Sequence, residues 1–171
     1  MPTRAARRPI DVQVFPAFRA KVTAPWVRRV AAEALAVGDP DGTAGVSIAV
    51  ADDETLRSLN SRFRGFDEVT DVLAFGLDGD VTPGSAPPFP DLPEIEPTIG
   101  EVVLSYPLAV RQAGEHRVPV EEELALLVVH GILHLLGHDH EERDDESRMK
   151  RFEQQALARV FERGATFGAT P

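Results

Sequence analysis

The chain has no cysteine among its 171 residues. Disulfide bonds, thiolate metal sites and cysteine nucleophiles are therefore excluded, and a reducing compartment such as the cytoplasm is permitted. Apolar runs are short, and none approaches the length of a membrane span, so we expect no membrane partner. Basic residues number 18 against 28 acidic ones, for a formal net charge of -10. This balance disfavours a general nucleic-acid coat protein but permits a local basic groove.

The length and an ordinary balance of 43% hydrophobic and 27% charged residues suit one domain, which we expect over residues 10–163. Residues 1–9 are predicted to form a basic flexible arm, the alternative being an arm that contacts RNA. No apolar segment follows this arm, so no secretory signal is expected. Residues 76–98 hold six prolines and three glycines and are predicted to form a long surface loop or lid. Residues 164–171 are predicted to be a disordered tail.

Hydrophobic periodicity predicts four strands and five helices in this domain. The strands are expected at residues 11–15, 46–51, 71–75 and 101–104. The helices are expected at residues 25–37, 53–63, 106–115, 120–136 and 144–163. This order favours a small mixed sheet with helices packed on it.

Four of the five histidines fall within eleven residues at the end of the strongest predicted helix. His130 and His134 are four residues apart, so they lie on one helical face and can converge on one ion. Gly137 ends the helix, which allows the chain to fold back and present His140 as a third ligand. His138 is a substitute for His140 or points elsewhere.

Three neutral imidazoles with one open position are typical of catalytic zinc, which lowers the pKa of its bound water to about 7. Nickel, copper or iron would also suit imidazole ligands. The alternatives are a closed structural site and ordinary helix-end or core histidines. A metalloprotease would need glutamate directly after the first histidine, and this chain has Gly131 there. Asp139, Glu141 and Glu142 are the nearby candidates for a general base.

Three segments carry a resemblance to a known family. They are residues 130–140 (His-Gly-Ile-Leu-His-Leu-Leu-Gly-His-Asp-His), residues 59–75 (Leu-Asn-Ser-Arg-Phe-Arg, then Asp67, then Thr-Asp-Val-Leu-Ala-Phe) and residues 99–105 (Ile-Gly-Glu-Val-Val-Leu-Ser). Together they resemble the YbeY family of rRNA maturation endoribonucleases. The chain departs from the usual family residues at Val69, Ala74, Glu101 and His138, and its loop 76–98 is longer than expected.

The resemblance implies an α+β fold with a mixed four-stranded sheet, about five helices and a metal site at the end of a central helix. It implies a metal-dependent, single-strand-selective endoribonuclease that acts in small-subunit rRNA 3′-end maturation and ribosome quality control in the cytoplasm. With the histidine ligands described above, we expect a zinc-dependent enzyme. The metal ligands carry over to His130, His134 and His140, and the functional arginine to Arg64. Asp139 is the candidate catalytic carboxylate. Expected partners are rRNA and the small subunit, with a ribosomal protein and an assembly GTPase.

Chemistry supports this assignment, because a metal and a guanidinium both suit the charge of a phosphoryl group. Arg57, Arg62 and Arg64 could form a local basic patch. Phe63, Phe66 and Phe75 could stack on bases, although core packing is the favoured interpretation. Two other functions stay open: a metal-dependent hydrolase of another substrate, and a non-catalytic ribosome assembly factor with structural zinc.

Overall fold

The computed structural model describes residues 8–76, 97–138 and 143–168, without the side chains of residue 143 and of residues 163–168. In these ranges the strands are β1 (Ile10–Val14), β2 (Gly45–Ala51), β3 (Val72–Gly76) and β4 (Thr98–Ser105). The helices are α1 (Ala24–Gly38), α2 (Asp53–Arg64), α3 (Tyr106–His116), α4 (Val120–Leu135) and α5 (Arg143–Gly168). A short 3-10 helix, Pro16–Phe18, follows β1 and was not predicted.

The strands form one mixed sheet in the order β1-β2-β4-β3. β1, β2 and β4 are parallel, whereas β3 runs antiparallel to β4 with Leu73 opposite Val103. The predicted α+β fold, with four strands and five helices, is therefore confirmed for the described residues. Among the described strands, β3 lies at an edge of the sheet, and it borders a surface cleft.

Two apolar clusters lie on the two faces of the sheet. The larger one holds Val102 and Leu104 of β4 together with buried residues of α1, α4 and α5. The smaller one packs Leu56 and Leu59 of α2 against Phe75 and Val103. α4 contacts α1, α3, α5, β3 and β4, so it is the central helix of the larger layer. This central position explains why its sequence is apolar on almost every side.

Local interactions set the ends of α2 and so the place of Arg64. The Asp52 carboxylate accepts a hydrogen bond from the Thr55 amide at 2.9 Å, which caps the first turn. Gly65 then ends the helix with a φ of 78°, a left-handed conformation that glycine adopts without strain. The chain leaves α2 directly after Arg64 and reaches the edge strand β3 within a few residues.

Two predicted boundaries were wrong by three residues or more. β4 begins at Thr98 rather than residue 101, because Gly100 adopts a φ of 134° and lets the strand continue through an irregular register. α5 continues to Gly168, past the predicted end at residue 163 and into the predicted disordered tail. A single glycine at residue 164 costs a helix only about 1 kcal/mol, so it did not end this one.

The end of the predicted flexible arm is also held to the domain. Arg8 forms a salt bridge with Asp39, and the Pro9 carbonyl accepts a hydrogen bond from the Val46 amide at 3.1 Å. Residues 1–7 and most of the predicted loop 76–98, namely residues 77–96, lie outside the described residues. In the part of the chain that is described, no helix combines the length and apolarity that a membrane crossing needs.

Candidate active site

A cleft of about 1020 Å³ opens between α4 and the edge strand β3. His130 and His134 line it from α4, and Arg64 and Phe66 line it from the end of α2 and the turn that follows. The backbone of β3 lies between these two sets of residues. The cleft therefore brings together the histidine motif and the arginine motif, which are more than sixty residues apart in the sequence.

The two helical histidines face each other at this cleft. Their Nε2 atoms are 3.1 Å apart, and their rings meet edge to face with centroids separated by 4.6 Å. Two imidazole nitrogens at normal zinc distances in a tetrahedral shell would be about 3.3 Å apart. The donor atoms thus already have nearly the separation that one shared divalent ion requires.

His130 is held from behind by a carboxylate of the last helix. Its Nδ1 lies 2.9 Å from Oε1 of Glu153, and the two side chains are 29% and 15% exposed. A carboxylate accepts hydrogen bonds, so this contact favours a ring proton on Nδ1, and that tautomer has its lone pair on Nε2, towards the cleft. The sequence reasoning missed Glu153. The sequence does contain a signal for this role, because Glu153 is a charged residue four positions after Met149, on the apolar face of α5.

The other histidine of the motif that the structure describes, His138, points away from this pair. Its Nε2 lies 3.3 Å from the Gly38 carbonyl oxygen, and its ring packs on Phe152 with centroids 4.8 Å apart. His138 thus ties the end of α4 to the end of α1. His138 was considered either as a substitute for the predicted ligand His140 or as a residue that points elsewhere, and the geometry supports the second option.

The remaining predicted site residues, His140 and Asp139, lie outside the described residues, as do Glu141 and Glu142. In the described ranges, no group of three or more histidine, cysteine or carboxylate side chains is arranged to hold a metal. The third ligand is therefore still a prediction. The chemistry of the described pair, two imidazole nitrogens at a cleft, nevertheless fits a borderline-soft divalent ion.

At Gly131, α4 packs closely against the sheet. A Cβ atom added there would lie 2.7 Å from Cγ1 of Val102 and 3.3 Å from Cγ2 of Val72. A glutamate at this position, as in the metalloprotease motif, would collide with both strands. The close packing of α4 on the sheet is therefore incompatible with a general base at this position.

The opposite wall of the cleft is more exposed. Arg64 is exposed, and Phe66 is 59% exposed although it is a large apolar side chain. By contrast, Phe75 is buried and meets the Phe63 ring edge to face at 5.3 Å. Of the three phenylalanines considered for base stacking, the favoured core role thus applies to Phe63 and Phe75 but not to Phe66.

Several polar residues in and near the three sequence motifs form hydrogen bonds within the fold. Asn60 is buried and donates to the Glu68 carbonyl at 3.0 Å, which holds the turn after α2. The Ser105 hydroxyl accepts from the Leu108 amide and caps α3, and it donates to Asp53 at 2.7 Å. Asp71 accepts from the Val72 amide and from Gln112. Arg57 pairs with Asp67 at 2.9 Å, away from the cleft.

Two carboxyl groups have altered acidity. Hydrogen bonding to Arg111 holds the pKa of Asp53 below its ordinary value, helped by Ser105 and opposed by burial. Burial raises the pKa of Glu101, whose Oε2 atom has no hydrogen-bond partner among the described atoms. Neither residue lines the cleft, so both pKa shifts arise from interactions that stabilise the fold.

Comparison with known proteins agrees with this geometry. The family model described as Endoribonuclease YbeY matches residues 13–160. The chain belongs to the YbeY family of endoribonucleases. An Endoribonuclease YbeY of Roseiflexus castenholzii is 41% identical over 152 residues, covering 86% of this chain and 90% of the relative. One from Dehalococcoides mccartyi is 37% identical over 155 residues, covering 90% of this chain and 97% of the relative.

The YbeY family assignment confirms the resemblance drawn from the three sequence motifs. The fold has a solved counterpart in the solution structure of a Thermotoga maritima protein, with a TM-score of 0.60 and 23% identity over 94% of both chains. That similarity concerns the fold alone. The predicted endoribonuclease class is the one that the curated YbeY relatives carry in their names.

Proposed function

We propose that this YbeY family member is a zinc-dependent endoribonuclease selective for single-stranded RNA, with His130, His134 and His140 as its metal ligands. The observation that carries the proposal is the pair of Nε2 atoms 3.1 Å apart in a cleft that Arg64 also lines. Nickel or another divalent ion would suit the same nitrogens. A divalent ion held there supplies Lewis-acid charge to a phosphoryl group in the cleft.

Arg64 binds the phosphate of the RNA backbone in this proposal. Its guanidinium is exposed at the cleft, always charged, and shaped to donate two parallel hydrogen bonds to phosphate oxygens. The net charge of -10 makes the protein repel RNA at long range, so local positive charge in the cleft has to supply the attraction. Arg64 would also stabilise the charge that develops during cleavage.

Selectivity for single strands follows from the exposed ring of Phe66. An aromatic side chain at the rim of a cleft offers a stacking surface to a base, but only to one that has left its own stack. Phe66 shares the cleft with Arg64, so a base on the ring and a phosphate at the guanidinium could belong to neighbouring nucleotides. A regular duplex would present neither group in this way.

Asp139 is the proposed general base, because it directly precedes the proposed ligand His140 in the sequence. The proposed substrate is the 3′ end of small-subunit rRNA, and the proposed setting is ribosome maturation and quality control in the cytoplasm. A ribosomal protein and an assembly GTPase are the proposed protein partners. These statements rest on the family assignment and on the cleft.

The test is elemental analysis of purified wild-type protein beside His134→Ala and His116→Ala, with cleavage of single-stranded RNA measured on the same samples. His116 is the matched control, since it lies at the end of α3 and does not line the cleft. We expect one metal per chain and cleavage in the wild type and in His116→Ala, and neither in His134→Ala. Full cleavage by metal-free His134→Ala would overturn the proposal. Metal without cleavage in the wild type would instead favour a structural site.

A further inference from the structure

The carboxylate of Glu153 is the feature that leads beyond the proposed function. It lies on α5, outside the histidine motif, and touches the ring atom of His130 that faces away from the cleft. His130 is thus held at both ring nitrogens, with Nδ1 at Glu153 and Nε2 opposite His134. This arrangement has a chemical consequence for any ion bound at the pair.

We propose that Glu153 is a positioning residue for the metal site, which fixes the tautomer and the ring plane of His130 so that its Nε2 lone pair meets the ion. The inference rests on the proposed metal function and deepens it. Glu153 is not itself a proposed ligand, because its oxygen contacts the nitrogen on the far side of the ring.

The tautomer argument comes from the hydrogen-bond roles. A free neutral imidazole can carry its proton on either nitrogen, and only the nitrogen without the proton can bind a metal. With a carboxylate 2.9 Å from Nδ1, the favoured tautomer carries its proton on Nδ1 and its lone pair on Nε2. Outer carboxylates of this kind orient metal-bound histidines in many proteins, and their loss lowers metal affinity by roughly 10- to 100-fold.

The orientation argument comes from the packing around Glu153. Its side chain is only 15% exposed, and its neighbours Met149 and Ala156 on α5 are fully buried in the larger core. α5 is further anchored to α1 by Arg159, whose Nε lies 2.6 Å from Glu33, and by Arg29, which donates to the Val160 carbonyl. Glu153 therefore lies on a helix that is anchored to the core, and its carboxylate can restrain the orientation of the His130 ring.

The experiment measures zinc affinity by competition with a chromophoric chelator, using full-length wild type, Glu153→Ala, Glu153→Gln and Gln154→Ala. Gln154 is the matched control because it neighbours Glu153 on α5 and is exposed. We expect Glu153→Ala to bind zinc about 10- to 100-fold more weakly. Glu153→Gln should recover most of the affinity, since its amide oxygen can still accept from Nδ1, and Gln154→Ala should match the wild type.

A second measurement separates positioning from general stability. Nitrogen-15 NMR of the metal-free protein should show the His130 proton on Nδ1 in the wild type and in Glu153→Gln. In Glu153→Ala it should show a mixture of tautomers. If Glu153→Ala does not fold, judged by thermal melting, the Gln variant and the wild-type tautomer decide the question.

Unchanged zinc affinity in folded Glu153→Ala would overturn the inference, as would a wild-type His130 proton on Nε2. A Gln variant as weak as the Ala variant would also count against it. Absence of zinc binding by the wild type is a different result, because it would remove the proposed metal function itself.

Discussion

The two walls of the cleft are built in different ways. On the α4 side, His130 is held between His134 and Glu153, and the helix behind it is pressed against the sheet at Gly131. On the α2 side, Arg64 and Phe66 are exposed at the end of a helix and in the turn after it. The first wall is preorganised, which suits the proposed metal site, whereas the side chains of the second wall are exposed, which suits the proposed contacts with RNA.

This difference suggests that the walls have separable tasks. Substitutions in the histidine wall should alter metal binding and folding, because its side chains are tied to the core. Substitutions in the exposed wall should alter RNA binding and cleavage while metal content and stability stay unchanged. The predictions below test that separation, from the largest expected effect to the smallest.

Arg64→Ala should separate the walls most clearly. We expect cleavage of single-stranded RNA to fall by about 100-fold, the range for loss of one group that stabilises developing charge. Metal content should be unchanged. Arg64→Lys should recover only part of the rate, because an ammonium cannot donate two parallel hydrogen bonds. Steady-state cleavage assays and elemental analysis measure both effects.

The control for Arg64 is Arg62→Ala. Arg62 is also exposed, and its guanidinium lies over the Phe63 ring at 5.2 Å rather than in the cleft. Equal losses in the two variants would show that bulk positive charge matters and not the position of Arg64. Loss of metal from Arg64→Ala would show that the two walls of the cleft do not have separate tasks.

Gly131→Ala should destabilise the histidine wall. The new Cβ would lie 2.7 Å from Cγ1 of Val102, so the buried valine or α4 must shift, at a cost of about 1–3 kcal/mol in unfolding free energy. Urea denaturation measures this loss. Gly114→Ala on α3 is the matched control, since nothing lies within 4 Å of its Cβ and it should gain up to about 1 kcal/mol. The same sign for both variants would contradict the close-packing explanation.

Phe66→Ala should weaken binding of a short single-stranded RNA by roughly tenfold, since one base–aromatic stack is lost. The unfolding free energy should hardly change, because the ring is already exposed. Phe66→Tyr should bind normally. Phe161→Ala serves as the control, as Phe161 is an exposed phenylalanine on α5 that does not line the cleft. Fluorescence anisotropy with labelled RNA measures the affinities, and equal binding by Phe66→Ala and the wild type would exclude the stacking role.

The smallest expected effect is a pH dependence at the far end of α4. Hydrogen bonding to Glu123, together with its charge, raises the pKa of His116. The stabilisation from this pair is therefore fully present below the unfolded imidazole pKa of about 6.5 and is lost as pH rises through the higher folded-state pKa. His116→Ala should lower the urea midpoint at acidic pH more than at pH 8.

Asp53 provides a control of opposite sign for that pH experiment. Because Arg111 lowers the pKa of Asp53, its stabilisation is present above the unfolded carboxyl pKa and is lost as pH falls through the folded-state value. Asp53→Asn should therefore cost more at neutral than at strongly acidic pH. A His116→Ala effect that grows with rising pH would contradict the assignment.

The sequence by itself determined most of the fold and the family. Hydrophobic patterning placed four strands and five helices because apolar segments report burial directly, as in the fully buried strand β2 and the apolar helix α4. It failed at boundaries such as Thr98 and Gly168, where one glycine can either end an element or be tolerated within it. The spacing of His130 and His134 predicted their shared helical face for the same local reason.

Only the tertiary structure decided which side chains meet across elements. Local sequence does not show that His138 contacts the Gly38 carbonyl oxygen or that His130 contacts Glu153, because each contact joins two separate parts of the fold. The exposure of Phe66 and the burial of Phe75 likewise depend on tertiary structure, because Phe66 lies in the turn after α2 and Phe75 lies in β3, which packs against α2. Hydrophobic periodicity reports whether a residue is buried. Which other residue it contacts depends on how the helices and strands pack, and the candidate site is built from such contacts.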